Sequence, residues 1–279
     1  MPENTLTETR GLPPAKPWPL GLFSGNALKY IMAALMVLDH IKEMFPGAPI
    51  WLKILGRPVM PIFLFLCAEG FYHTRNRRRY LLQLLIGFEF MNVASMLLQR
   101  LLPVEGVVLA NSAFGTMFVM ALLLSFCSMI YRGIKEKKPG LAIGGVALGL
   151  AYFAASFGLL MLMDRLPQAF AFILILLPSF FMVEGGTLIF MGMLFYALRR
   201  WRWAQVLVLV AFTALTLYSD WKNGSGFGIQ WYMIFAAIPM LLYNNKRGRG
   251  GKFSKYFFYI FYPAHIYLLY LLAYLVSHR

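Results

Sequence analysis

Asp39, His40 and Arg57 stand inside two apolar runs over residues 36–65, MVLDHIKEMFPGAPIWLKILGRPVMPIFLF, and His265 stands inside a third, FYIFYPAHIYLLY over residues 258–270. An imidazole titrates near neutrality, so His40 could take a proton from an amine or a hydroxyl. A guanidinium keeps its charge and presents a rigid fork of donors, so Arg57 could clamp a carboxylate or phosphate or polarise a carbonyl. Ionisable groups within apolar runs are costly, and the default reading of them is a functional site with partners nearby.

The spacing constrains who can partner whom. Neighbouring residues diverge by about 100° around a helix, so Asp39 is badly placed to orient His40. Asp39 is expected to pair with Arg57, or with Lys42 three residues on and on the same face. A buried ion pair with no catalytic role accounts for Asp39 and Arg57 equally well. His40 also reads as a core histidine bonded to a neighbouring helix. Tyr262 and His265 are three residues apart and share a face. His265 falls about 15 Å along its helix from the basic end, near the midplane, and His40 about 20 Å along its own, so the two could face one cavity. Glu69, Glu89 and Glu184 are weaker candidates, with Glu69 expected to reach the Arg77–Arg79 cluster. Cys67 and Cys127 lie in apolar runs without metal-site spacing and read as packing residues. No phosphate loop, Gly-x-Ser-x-Gly, His-Glu-x-x-His or Cys/His metal cluster is present, so no metal is expected.

The elements that carry these residues are membrane helices. The 279 residues are 60% hydrophobic with a mean hydropathy of +0.65, beyond the range of an ordinary soluble domain. Lipid offers no partner for backbone N–H and C=O groups, and the apolar runs do not alternate as barrel strands do. The fold class is therefore all-α, a polytopic helix bundle in a cell membrane. The net charge of +15 gathers between the apolar runs, which is the mark of cytoplasmic loops and not of a nucleic-acid surface. A basic face of that kind suits a phosphate-rich ligand or anionic membrane lipid.

Residues 1–25, polar and Pro-rich without a signal-like core, read as a cytoplasmic tail, and 26–279 as one transmembrane domain. Spans are expected at 26–45, 50–72, 80–102, 114–131, 140–163, 187–198, 204–218, 230–243 and 256–277. Pro239 is expected to kink the eighth, and small residues in the fifth to admit a close helix neighbour. Four arginines within His73–Arg79 place that loop, and with it the N-terminus, inside. The short run Ala169–Phe181 leaves nine or ten crossings open. Nine, with this run re-entrant, keeps Arg199, Arg200 and Arg202 inside and places Glu184 beside a cavity. The segment Asn244–Lys255, with five basic residues and three glycines, reads as a flexible internal loop. No internal repeat is visible, which disfavours a transporter of inverted halves.

Leu38-Asp39-His40, Gly56-Arg57 followed by Met60-Pro61-Ile62-Phe63, Gln230-Trp231-Tyr232-Met233, Leu242–Gly248 and Phe261-Tyr262-Pro263-Ala264-His265 together resemble the TraX family. The resemblance runs from the first span to the last. It implies similarity to pilin acetylases of conjugative plasmids in the bacterial inner membrane, and to the wider group of membrane acyltransferases. It implies cytosolic acetyl-CoA as donor, and an amine or hydroxyl of a peptide, glycan or lipid as acceptor. Asp39, His40, Arg57 and His265 are the implied positions, and Tyr262, on the face of His265, joins them in the expected catalytic set. Arg75, Arg77, Arg78, Lys246 and Arg247 are expected to meet the cosubstrate phosphates. The alternative is a transporter or proton-coupled carrier, in which the same groups form a relay. A non-catalytic membrane assembly factor is the third reading.

Overall fold

The computed structural model describes residues 18–110, 113–163, 165, 176–181, 183, 186–224, 226–250 and 252–278. The described secondary structure is helical apart from one isolated β-bridge, Phe23 to Tyr243. The helices are α1 Gly25–Met44, α2 Ile50–Gly56, α3 Val59–His73, α4 Arg77–Leu101, α5 Ala113–Lys135, α6 Pro139–Met163, α7 Gly186–Ala197, α8 Arg202–Lys222, α9 Ala237–Leu241 and α10 Lys252–Ser277. A 3₁₀ helix, Ile229–Ala236, precedes α9. Among the described residues, six helical stretches are long and apolar enough to cross a membrane: Ile50–His73, α4, α5, α6, α8 and Tyr256–Ser277. Helix α1 carries Lys29, Asp39, Lys42 and Glu43, and is not among them. Glu184 and residues 169–175 lie outside the described residues.

Two expected spans are broken. The span expected at 50–72 divides at Arg57 and Pro58. Pro58 has no N–H for the carbonyl of Ile54, and a proline ring crowds the carbonyl four residues back. That carbonyl instead accepts from Arg57 N at 3.2 Å, which closes α2 and starts α3 afresh. The span expected at 230–243 is the 3₁₀ helix followed by α9. Pro239 is the third residue of α9, just after the change from 3₁₀ to α geometry.

The described residues form two compact units. One comprises the described parts of 15–66, 94–110 and 198–279. In it, α1 and α10 start at the same end and run in parallel. Ser24 caps α1, its Oγ accepting from Ala27 N. The segment after α9 then binds along the start of α1. Gly25 N donates to Lys246 O at 2.9 Å, Asn26 N to Arg247 O at 3.0 Å, and Asn26 Nδ2 to Arg249 O at 3.2 Å. The expected flexible loop is therefore a strap that satisfies donors an α-helix N-terminus leaves open. Gly248 permits its close approach: φ is +83°, and a Cβ there would strike Ser24 Oγ. Arg202 belongs to the same end. It lies over the rings of Phe65 and Tyr243, donates to Gln205 Oε1 at 2.9 Å, and bonds Asn245 Oδ1.

The other unit comprises the described parts of 67–93 and 111–197. Helices α5 and α6 form its hairpin. A Cβ on Gly145 would come within 2.8 Å of Ile130, and one on Gly133 would strike Ala142 N, so small residues do set this contact. In the turn, Lys138 and Arg132 both donate to Glu136 and hold its carboxyl below the usual carboxylate range. Residues 176–181 are not helical, and α6 supplies their partners. Tyr152 Oη donates to Pro178 O at 2.8 Å, and Phe180 N to Ser156 Oγ at 3.4 Å. Irregular backbone among membrane helices needs such partners from protein.

Candidate functional site

The first unit brings His40 and His265 together. His40 Nδ1 and His265 Nε2 are 2.9 Å apart, and both residues are buried. His265 Nδ1 lies 2.8 Å from the carbonyl of Phe261, one turn back. A carbonyl only accepts, so Nδ1 of His265 carries the proton and, in the neutral ring, Nε2 is an acceptor. His40 must then donate from Nδ1, which leaves Nε2 as its basic nitrogen. The tautomers follow from this network. Phe261 stacks on the His265 ring, and Tyr262 lies with its centroid 5.9 Å away. His40 is about 22 Å from the start of α1 and about 6 Å from its end.

Asp39 points to a different partner, as the helical angle requires. Both of its oxygens accept from Arg57 Nη2, at 2.5 and 2.7 Å. Arg57 Nη1 donates to Gln230 Oε1 at 3.0 Å, and Nε to Lys53 O at 3.2 Å. All three guanidinium nitrogens are thus engaged. The break between α2 and α3 is what presents Arg57 to α1. Gly56 makes the approach possible, since a Cβ there would overlap Asp39, with its Cγ at 2.6 Å. The other expected partner of Asp39, Lys42, bonds the carbonyl of Pro46 instead.

Two members of this site escaped the sequence. Glu43 Oε2 lies 3.8 Å from His40 Nε2, on the turn that follows it. The three-residue spacing was the available signal. Gln230 stands in the Gln230-Trp231-Tyr232-Met233 motif, but its pairing with Arg57, 173 residues away in sequence, has no local signal.

The residues expected to meet cosubstrate phosphates fall in different units. Arg75 and Arg78 are exposed in one; Arg77 lies over Phe71 and donates to Ser128 Oγ. Lys246 and Arg247 are exposed on the strap of the other. Glu69 Oε2 lies 3.9 Å from His73 Nε2. Glu89 is half-buried on α4. Cys67 is buried with its Sγ 3.1 Å from Tyr80 Oη, and Cys127 is exposed.

The fold and this site define a multi-pass helical membrane protein with a buried histidine pair beside an aspartate–arginine pair. The TraX protein family model matches residues 24–273, nearly the whole chain, and the chain belongs to that family. Over 67 residues it is also 39% identical to the probable fimbrial assembly protein FimC, serogroup H1, of Dichelobacter nodosus. That stretch covers 23% of this chain and 28% of the relative. No solved structure matches.

Proposed function

We propose that this protein is an integral membrane acetyltransferase that moves an acetyl group from acetyl-CoA to an amine or hydroxyl of a peptide, glycan or lipid acceptor. The observation that carries the reading is the buried His40–His265 pair in a TraX-family chain, its tautomers set so that Nε2 is the basic nitrogen of His40. His40 Nε2 takes the acceptor proton as the acceptor attacks the thioester carbon. The charge that develops on the ring is shared through Nδ1–H with His265 Nε2. The tetrahedral intermediate collapses, the C–S bond breaks, and His40 returns its proton to the departing thiolate. His265 acts through His40 as a positioning residue, and Tyr262 packs behind it. Asp39 holds Arg57 in place, and the second N–H of Nη1 is the donor for the oxyanion.

The cosubstrate phosphates meet the exposed basic residues, Lys246 and Arg247 or Arg75 to Arg78. The contact of Arg202 with the strap supports nine crossings, with Arg199 to Arg202, the strap and the N-terminus on the cytoplasmic side of the inner membrane. The match to a fimbrial assembly protein supports an envelope protein as acceptor.

The test is transfer from acetyl-labelled acetyl-CoA in membranes containing the protein, beside His40→Ala at equal abundance. The reading expects a labelled envelope molecule with the wild type and a fall of at least about 100-fold in the variant. A proton-coupled carrier, the competing reading, leaves no covalent product. Absence of label with intact protein and a broad acceptor pool would overturn the enzyme.

A further inference from the structure

Glu43 has no place in the steps above, yet it sits at the basic nitrogen of the pair. Its Oε2 is 3.8 Å from His40 Nε2, and its side chain is 33% exposed where that of His40 is 6% exposed. It lies one residue before the end of α1, next to the Pro46 turn. The contacts run from the Phe261 carbonyl through His265 and His40 to Glu43, with both histidines buried and Glu43 part-exposed. A separation of 3.8 Å is longer than a hydrogen bond, and one water or a small rotation of the glutamate closes it.

The chemistry of the proposed transfer says what a carboxylate there would do. An amine acceptor arrives at neutral pH as an ammonium, and it must lose one proton before its nitrogen can attack. It loses a second as the amide forms. The departing thiolate takes up only one of the two. The reaction of R–NH₃⁺ with acetyl-CoA thus gives the amide, free CoA thiol and one proton. His40 alone can hold one proton at a time, and the first must leave before the second is taken.

We propose that Glu43 is the proton outlet of His40. Resting on the acetyltransferase reading with an amine as the acceptor, this makes Glu43 a positioning and relay residue that acts through His40 and touches neither substrate. The ammonium proton passes to His40 Nε2, then to the Glu43 carboxylate, then to water at the Pro46 end of α1. His40, neutral again, takes the second proton during attack and delivers it to the thiolate sulfur.

The experiment measures acetyl transfer from labelled acetyl-CoA to the wild type's own acceptor, using full-length wild type, E43Q, E43D and E43A in membranes at matched abundance. E43A is also assayed with added formate, beside H40A with formate. The expected results are a fall of at least about tenfold in kcat for E43Q with KM little changed, and most of the rate kept by E43D. E43A should regain rate as formate is raised, while H40A should not. A structural role would not respond to formate. The proposal is overturned if E43Q transfers acetyl at the wild-type rate. It is also overturned if E43A and E43D are both inactive and formate restores nothing. If the wild type itself forms no acetylated product, the acetyltransferase reading fails, and this proposal fails with it.

Discussion

Replacing Asp39 by Asn removes one charge and keeps the shape. Arg57 Nη2 then faces an amide in place of two carboxylate oxygens at 2.5 and 2.7 Å. The two side chains are 17 and 18% exposed, so the orphaned guanidinium charge is only partly hydrated. Gly56 packs directly against Asp39, which leaves no room for the side chain to move away. Breaking a fully buried pair costs about 3–5 kcal/mol. Partial exposure and the surviving bonds to Gln230 and Lys53 reduce this to about 2–3 kcal/mol. The assay is unfolding of the purified protein in mixed micelles, followed by circular dichroism for wild type, D39N, R57Q and D39N/R57Q. The double variant carries no unpaired charge, so it should be more stable than the sum of the single losses predicts, by about 1 kcal/mol or more. A D39N loss below about 0.5 kcal/mol, or strict additivity, would refute the account of this pair.

Three other substitutions test how the site is held. Gly56→Ala should cost about 1–3 kcal/mol by overpacking Asp39, and should lower acetyl transfer in step; the same unfolding and transfer assays read both. Gly248→Ala forces a side chain into a +83° φ and against Ser24. It should lower the melting temperature and raise amide exchange at Gly25 and Asn26, whose N–H groups the strap holds. Tyr270→Phe loses the hydroxyl that donates to Leu102 O at 2.8 Å, and should cost about 1 kcal/mol in unfolding.

The helical plan was readable because a membrane helix must be continuous and apolar, and such runs declare themselves. The first helix was expected to start at Asn26 and begins at Gly25, and the α5–α6 contact follows the small residues of α6. The breaks were less readable. Pro58 carried a signal for the division of α2 from α3, but the flanking residues are apolar enough to mask it. The 3₁₀ geometry at Ile229–Ala236 has no pattern distinct from that of a short helix. The strap was misjudged because glycines and basic residues describe a flexible loop equally well. What fixes it is hydrogen bonding to a helix start more than 200 residues earlier. Within the site, Asp39, His40, Arg57 and His265 stood out as ionisable groups in apolar runs. Glu43, near a helix end, reads as an ordinary boundary residue until its distance to His40 is known.

The central claim is that His40 and His265 work as one acid–base unit in acetyl transfer. The most direct measurement is the rate of transfer from acetyl-CoA for wild type, H40A, H265N and H40A/H265N in membranes at matched abundance. A unit predicts losses that do not multiply: H40A falls at least about 100-fold, H265N falls less, and the double variant is no worse than H40A. An H40A rate equal to the wild type's, or single losses that multiply fully in the double variant, would contradict it.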